Sequence, residues 1–273
     1  MKSFFLCLFI VLFFNACASI PTVEQRVKTA DNLIKNTKPK KEFFSTDAFS
    51  LYSLQKASFC KTLRVYIEGD GLSWITRTKI STNPTPINPL AMKLFLKDSS
   101  NCKIYLARPC QYTKDKKCEK KYWTSHRFSK EVLTSYLNTF DLLKKRYQNK
   151  DFELIGFSGG GAIATLISAK REDINLLVTV AGNLDHKAWT KQKRITPLYG
   201  SLNPINYTNK LKDIKQIHLI GGKDRIISQS IFNSYISYFN DKSNIKSSIY
   251  KDYTHQKGWE KNWKKIIKYI YLF

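Results

Sequence analysis

The residues best suited to covalent chemistry form a glycine-rich turn near the middle of the chain. Residues 156–161 read GFSGGG, follow a short apolar run typical of a buried strand, and begin a run typical of a helix. A G-x-S-x-G motif between a strand and a helix is a nucleophile elbow, whose strained turn raises the serine hydroxyl above the sheet. The pattern therefore predicts that Ser158 is a nucleophile.

A nucleophilic serine needs a histidine as base and a carboxylate that orients it, and with this elbow the chain order is serine, acid, histidine. The histidines of the chain are His126, His186, His218 and His255. His126 precedes the serine, His186 follows it too early, and His218 lies in an apolar strand where a packed side chain is expected. His255, just after the last predicted strand, is the predicted base.

Asp224 is the predicted orienting acid. It follows the predicted strand 216–220 on a glycine turn, from which a carboxylate can reach an imidazole on the next loop. The alternative for Asp224 is a loop-capping role. Asp185, after the preceding strand, is the second candidate for the acid.

The third requirement is an oxyanion hole, a pair of N–H donors for the charge that develops on the substrate oxygen. With this elbow, one donor is the backbone N–H of the residue after the serine, here Gly159. The second comes from the loop after the third strand, residues 68–74 (EGDGLSW), where position favours the backbone N–H of Asp70. The Asp70 carboxylate would repel an oxyanion, so we expect its side chain to point away; a simple turn aspartate is the alternative.

Glycine-rich turns also bind phosphates, but the spacing here does not fit. A dinucleotide fingerprint needs G-x-G-x-x-G in the first βα unit and an acid about 20 residues later. A Walker A loop needs Gly-Lys followed by Ser or Thr, which is absent from the sequence. We therefore expect no cofactor.

The N-terminus is typical of a secretory signal. Lys2 is followed by an apolar run, residues 4–14, that is too short to span a bilayer. Asn15 and Ala16 then lead to Cys17, which resembles the lipidated cysteine of a bacterial lipobox, although Phe14 stands where leucine is usual. A plain signal peptide cleaved nearby is the alternative, and both interpretations predict export.

Export changes the interpretation of the cysteines, because exported proteins fold in an oxidising compartment. With Cys7 removed in the signal and Cys17 lipidated, four of the six cysteines remain. They are Cys60, Cys102, Cys110 and Cys118. Four cysteines allow three pairings. Cys60 and Cys102 are favoured partners if the strands that follow them are neighbours, and Cys110 and Cys118 would then close a short loop. No C-x-x-C motif and no histidine at ligand spacing accompanies them, so we expect no metal site.

Apolar runs alternate with amphipathic runs from residue 43 onward, which predicts an α/β fold with a mostly parallel sheet covered by helices on both faces. The predicted strands are residues 49–54, 63–67, 103–107, 153–157, 176–181, 216–220 and 248–253. The predicted helices are residues 22–35, 89–96, 129–148, 160–170, 229–239 and 260–271. The segments 108–127 and 183–207 are long for connections, so we expect them to form a small irregular cap.

The composition is ordinary except for its charge. Hydrophobic residues make up 42% of the chain, which excludes a wholly disordered chain and a multi-span membrane protein. Lys and Arg number 46 against 21 Asp and Glu, a net charge of +25. A nucleic-acid-binding footprint is clustered and arginine-rich, whereas lysine is scattered along this chain. We therefore expect no specific nucleic-acid partner.

From about residue 43 to the C-terminus, the chain resembles an α/β-hydrolase. It is most similar to a group of exported bacterial α/β-hydrolase lipoproteins. Four segments carry the resemblance: YIEGDG at 66–71, LARPCQY at 106–112, GFSGGGA at 156–162 and AGNLDH at 181–186. Glu68 departs from the pattern, because many relatives in the wider superfamily carry histidine before the glycine.

The resemblance implies a triad of Ser158, Asp224 and His255 but no substrate. It also implies that the strands after Cys60 and Cys102 are neighbours, and therefore the pairs Cys60–Cys102 and Cys110–Cys118. The expected domains are a lipoprotein signal peptide (1–16), an N-terminal tether (17–42) and an α/β-hydrolase domain (43–273).

The expected protein is a serine hydrolase, esterase- or lipase-like, that cleaves an acyl ester or thioester of a small molecule or lipid. Its N-terminal lipid would anchor it to a membrane of the bacterial cell envelope, facing the periplasm or the exterior. An acyltransferase or peptidase with the same triad is an alternative. Others are a non-catalytic lipid-anchored envelope binding protein, and a basic module that binds anionic envelope polymers or nucleic acid. The serine, acid and histidine in the correct order favour an enzyme.

The N-terminal interpretation has a direct test in the mature protein. We expect mass spectrometry to find Cys17 as the first residue, carrying acyl chains, because the apolar run ends at a small residue followed by cysteine. A single chain binds membranes only marginally, so stable anchoring needs more than one chain or help from the basic surface. An unmodified mature terminus at any other residue would contradict this prediction.

Overall fold

A computed structural model describes residues 20–37, 39–113 and 115–272. The strands are β1 Lys40–Ser45, β2 Ser50–Lys56, β3 Thr62–Ile67, β4 Lys103–Leu106, β5 Asp151–Phe157, β6 Ile174–Val180, β7 Lys215–Gly221 and β8 Ile245–Tyr250. The α-helices are α1 Val23–Ile34, α2 Leu90–Lys97, α3 Lys130–Tyr147, α4 Gly159–Ser168, α5 His186–Lys193, α6 Gln229–Ile236 and α7 Trp259–Ile270. Two 3₁₀ helices are Lys120–Trp123 and Pro204–Lys210.

The strands form one eight-stranded sheet in the order β1-β2-β4-β3-β5-β6-β7-β8. Strand β2 pairs antiparallel with both of its neighbours, and the pairs from β4 to β8 are parallel. The carboxyl ends of the parallel strands therefore lie on one edge, where ligands bind in open α/β sheets. The predicted mostly parallel sheet with helices on both faces is confirmed.

Two apolar layers hold the helices on the sheet. Side chains alternate along β3, so Leu63, Val65 and Ile67 pack on the face that α3 and α4 cover, while Tyr66 packs on the opposite face. That second face is covered by α2 and α7, whose Trp259 and Trp263 are fully buried. Burial on both faces explains why the sequences of the central strands are continuous apolar runs.

The two edge strands of the sheet, β1 and β8, differ from the sequence prediction. Strand β1 is largely exposed, and its sequence KKEFFS carries no apolar alternation, so it was missed. Strand β8 is also largely exposed and begins three residues before the predicted strand, at Ile245 instead of Ser248. An edge strand with one weakly covered face leaves little hydrophobic pattern in the sequence.

Residues 17–42 were expected to be a tether, but the part of this region that the structure describes contains helix α1 and the start of β1. Helix α1 has a capping box between Thr22 and Gln25, and its Ala30 is buried in the core. The buried Arg26 donates hydrogen bonds to the carbonyl oxygens of Asn83 and Thr85. The sheet also starts at β1, three residues before the expected boundary at 43. The folded body therefore includes α1 and β1.

The two long connections form the expected cap, packed on each other at the carboxyl edge of the sheet. The Leu202 N–H donates to the Phe128 carbonyl oxygen at 2.9 Å, and the Ser201 hydroxyl donates to the Ser125 carbonyl oxygen at 2.9 Å. The second connection also contains helix α5, which was not predicted. Helix α5 is short and polar, and Asp185 caps its N-terminus.

The expected signal peptide, residues 1–16, and the lipidation site Cys17 lie outside the described residues. In the part of the chain that is described, no helix combines the length and the apolar character needed to cross a membrane.

Both disulfides have the predicted partners. Cys60 is joined to Cys102, where β3 and β4 begin side by side, across a sequence separation of 42 residues. Cys110 is joined to Cys118 across a separation of 8 residues, within the first cap segment.

The difference in loop length predicts different contributions to stability. By loop-closure entropy, replacing Cys60 and Cys102 with alanine should lower the free energy of unfolding by about 4 kcal/mol. Replacing Cys110 and Cys118 should lower it by about 2.5 kcal/mol, because the closed loop is shorter. Urea unfolding of the two double variants measures both values. A larger loss from the short loop would contradict the prediction.

Candidate active site

The elbow serine has a strained backbone. Ser158 connects β5 to α4 with φ 54° and ψ −119°, a positive φ that non-glycine residues rarely adopt. A Cβ atom on Gly156 would lie 2.3 Å from the Gly160 carbonyl oxygen, so a side chain at position 156 cannot fit. The turn therefore depends on glycine and directs the serine to the carboxyl edge of the sheet.

Ser158, His255 and Asp224 form one hydrogen-bonded chain. His255 Nε2 lies 3.0 Å from the Ser158 hydroxyl oxygen, and His255 Nδ1 lies 2.8 Å from Asp224 Oδ2. With the proton on Nδ1, the imidazole donates to the carboxylate and accepts from the serine hydroxyl. This is the arrangement in which a histidine can remove the serine proton.

Asp224 is fixed from two sides. Its Oδ1 accepts hydrogen bonds from the backbone N–H groups of Ile226 at 2.7 Å and Ile227 at 2.9 Å, while Oδ2 faces His255. The loop-capping role and the orienting position are thus combined in one carboxylate. The His255 ring also lies 5.0 Å from the Phe157 ring, centroid to centroid, which limits its rotation.

The second candidate acid lies elsewhere. Asp185 Oδ1 accepts from the backbone N–H groups of Lys187 and Ala188 and from the Asn203 amide, and Oδ2 accepts from the Ser234 hydroxyl. These bonds hold α5 and α6 together and place no carboxylate oxygen of Asp185 on His255.

The other histidines lie away from the serine. His218 is buried on β7 beside Thr179, and burial lowers its pKa to about 3. His186 is buried with Nε2 near the Ser201 carbonyl oxygen, and His126 contacts Ser125.

The predicted oxyanion donors lie at the same edge. Gly159 is the first residue of α4, whose N-terminus carries a partial positive charge. Among the described residues, the backbone N–H groups of Gly159 and Asp70 have no protein acceptor. Both are therefore available to a bound oxygen.

The Asp70 side chain does not point away from the elbow as expected. A Cβ atom on Gly159 would lie 2.1 Å from Asp70 Oδ1, so the carboxylate rests against the Gly159 backbone. Arg108 and Arg127 both form ion pairs with it, with Nη1 to oxygen distances of 2.8 and 2.7 Å. Burial alone would raise the pKa of Asp70, but the two arginine charges outweigh burial and lower it. The repulsion that favoured an outward side chain is thereby removed.

Further contacts brace the loop that carries Asp70. The Gln111 amide donates to the Gly69 carbonyl oxygen at 3.0 Å, and its oxygen accepts from the Arg108 backbone N–H at 3.1 Å. Gln111 follows Cys110 and therefore lies within the short loop that the Cys110–Cys118 disulfide closes.

Glu68 occupies the position where histidine is common. Its carboxylate is buried and accepts hydrogen bonds from the backbone N–H groups of Gly69, Ala91 and Met92 and from the Tyr105 hydroxyl. Two of these groups belong to the first turn of α2, so Glu68 joins the Asp70 loop to a helix N-terminus. Burial raises the pKa of Glu68 to about 7, and the hydrogen bonds oppose that rise.

Comparison with known proteins identifies the fold. No protein-family model matches the chain, and no curated protein sequence is similar to it. The Pyrococcus furiosus esterase Pf2001 is similar in structure, with a TM-score of 0.58 at 16% identity over 87% of this chain and 92% of its own.

Two further solved structures agree with this fold. Est1E from Butyrivibrio proteoclasticus, with ferulic acid bound, has a TM-score of 0.63 at 12% identity over 85% of this chain and 98% of its own. A 2,6-dihydroxy-pseudo-oxynicotine hydrolase has a TM-score of 0.61 at 14% identity over 91% and 72%. The protein thus has the α/β-hydrolase fold, as the sequence predicted.

The buried Glu68 predicts a pH dependence of stability. Its pKa is raised from 4.5 to about 7 on folding, so the folded state holds the proton that the unfolded state releases. Its contribution to the free energy of unfolding should therefore fall by about 3 kcal/mol between pH 5 and pH 8. Urea unfolding of the wild-type protein and Glu68→Gln over this range measures the effect.

Other titrating groups, such as His218, contribute equally to both proteins. The difference in the free energy of unfolding between wild type and Glu68→Gln therefore reports on Glu68. Wild type should lose stability relative to Glu68→Gln as the pH rises. A difference that stays constant over the range would contradict the prediction.

Proposed function

We propose that this protein is a serine hydrolase that cleaves acyl esters or thioesters. The hydrogen-bonded chain from the Ser158 hydroxyl through His255 to the buried Asp224 carboxylate carries the proposal. A serine at a strained elbow, a histidine at 3.0 Å and an acid on the opposite ring nitrogen meet the geometric requirements of nucleophilic acyl transfer.

In the proposed reaction, the Ser158 oxygen attacks the acyl carbonyl carbon as its proton passes to His255 Nε2. The carbonyl oxygen becomes an oxyanion that accepts from the Gly159 and Asp70 N–H groups. The intermediate collapses, the bond to the leaving oxygen or sulfur breaks, and the leaving group takes the proton from His255. Water then attacks the acyl-enzyme with His255 as base, which releases the acid and restores the serine.

Esters and thioesters are the favoured substrates within the proposal. One of the structural neighbours reported above is described as an esterase, at an identity that shows only the fold. The proposed substrate class therefore rests on the chemistry that a serine, histidine and acid in this arrangement perform most readily. An acyltransferase or peptidase would form the same acyl-enzyme and differ only in the acceptor or the leaving group. Product analysis after acyl-enzyme formation separates these reactions.

The proposed location is a membrane of the bacterial cell envelope. The support is the sequence alone, in which an apolar run and Asn15-Ala16 precede Cys17. An anchored enzyme of this kind would act on a small-molecule or lipid acyl substrate near that membrane.

A fluorophosphonate probe tests the nucleophile directly. We expect the probe to phosphonylate Ser158 in the wild-type protein and to leave Ser158→Ala unlabelled, because the probe reacts only with an activated serine. Ser237→Ala, at the exposed C-cap residue that follows α6, is the matched control and should label normally. Peptide mass spectrometry identifies the labelled residue.

The same variants are then assayed on p-nitrophenyl esters of short and long acyl chains. Ser158→Ala should lose hydrolysis by at least about 10³-fold, as removal of a triad member does elsewhere. Full esterase activity in Ser158→Ala, or no labelling of the wild-type protein, would overturn the proposed function.

A further inference from the structure

The ion cluster of Asp70, Arg108 and Arg127 contains one arginine more than is needed to neutralise the Asp70 carboxylate. Each arginine donates to a different oxygen of the same carboxylate, so two positive charges face one negative charge. The side chains of Arg108 and Arg127 are 4% and 6% exposed. One arginine would neutralise the carboxylate, and the second leaves a net charge of +1 in a buried place, where an unbalanced charge is costly.

The cluster lies against the group that would bind the oxyanion. Asp70 supplies one of the two candidate N–H donors, and its carboxylate rests on the backbone of Gly159, which supplies the other. An unpaired carboxylate in this position would oppose negative charge on a bound oxygen. With both arginines present, the local charge is positive before the reaction and is balanced when the oxyanion forms.

The arginines are held rigidly from other directions. Arg108 Nη2 donates to the Arg127 carbonyl oxygen, and Arg127 Nε donates to the Thr124 carbonyl oxygen at 2.8 Å. The Arg127 guanidinium lies 5.7 Å from the Trp189 ring, and that of Arg108 lies 5.3 Å from the Phe128 ring. Charges that need no rearrangement during the reaction are the most effective in electrostatic catalysis.

We propose that Arg108 and Arg127 are positioning residues of the oxyanion hole: they fix the Asp70 loop and place a net positive charge that is neutralised only when the tetrahedral intermediate forms. This inference rests on the proposed function, because it requires a reaction with an oxyanion. It predicts that the arginines act on the transition state more than on substrate binding.

The test compares Arg127→Gln, which removes the charge but can still hydrogen-bond to Asp70, with Arg127→Lys, which keeps the charge. On the neutral ester p-nitrophenyl acetate, Arg127→Gln should lower kcat by at least about tenfold with KM changed by less than about threefold. Arg127→Lys should keep kcat within about threefold of wild type, since the charge is retained.

A second measurement uses an inhibitor that mimics the oxyanion of the tetrahedral intermediate. A trifluoromethyl ketone adds to Ser158 as a charged hemiketal, so its inhibition constant should rise in Arg127→Gln by the same factor as kcat/KM falls. Arg171→Met is the matched control, because Arg171 also pairs with two carboxylates, Asp141 and Asp173, away from the elbow. Its kcat and inhibition constant should equal those of wild type.

The outcomes separate this inference from the proposed function. If Ser158→Ala is inactive but a folded Arg127→Gln keeps kcat, the inference alone is overturned. It is also overturned if Arg127→Lys loses as much as Arg127→Gln, or if Arg127→Gln raises KM only for an ester with a carboxylate on its acyl chain, which would make Arg127 an anion-binding group. If the wild-type protein hydrolyses no ester, both the inference and the proposed function fail.

Thermal unfolding checks that each variant is folded. If Arg127→Gln does not fold, Arg108→Gln replaces it, with the same expected result.

Discussion

The close approach of helix α4 to the sheet is the constraint on which the candidate site depends. Gly160, in the first turn of α4, lies so near β3 that a Cβ atom on it would be 2.3 Å from the Ile67 carbonyl oxygen. This contact places the helix N-terminus, the strained serine and the end of β3 at one point on the carboxyl edge. The loop after β3 therefore begins beside the serine, and Asp70 can reach the Gly159 backbone. Without that contact, the Asp70 loop would lie apart from Ser158 and Gly159.

The histidine is held by a different set of forces, on the other face of the sheet. Its loop lies between β8 and α7, where the Trp259 indole N–H donates to the Thr254 carbonyl oxygen at 3.0 Å and the Tyr250 and Tyr253 rings stack at 4.8 Å. Trp259 is fully buried against the sheet. His255 is thus positioned by aromatic packing, whereas Ser158 is positioned by backbone geometry.

The sequence predicted the parts that local chemistry determines and missed the parts that need a distant partner. The elbow motif, the chain order of the polar residues and the buried central strands leave patterns that a single segment carries, so the fold and the meeting of Ser158, Asp224 and His255 could be predicted. The direction of the Asp70 carboxylate was not predictable, because it depends on Arg108 and Arg127, which lie at opposite ends of an irregular connection. The sequence carried one indication only: arginine is scarce in this lysine-rich chain, yet two of the few arginines stand at the two ends of the first cap segment, residues 108–127.

The burial of charged side chains determines which charges produce the electrostatic field around the molecule. Glu68, Asp98, Asp185 and Asp224 are buried, four of the 21 acidic residues, whereas only four of the 46 basic residues are buried within the described ranges. Equal numbers of acidic and basic side chains are therefore buried within the described ranges, and burial leaves the net charge of +25 unchanged. Copies of the protein should repel one another in dilute salt, while polyanionic surfaces attract them over a distance that shrinks to about 8 Å at physiological ionic strength. Burial thus removes as many carboxylates as basic groups from the surface, and the net positive charge determines the long-range electrostatic field of the exterior.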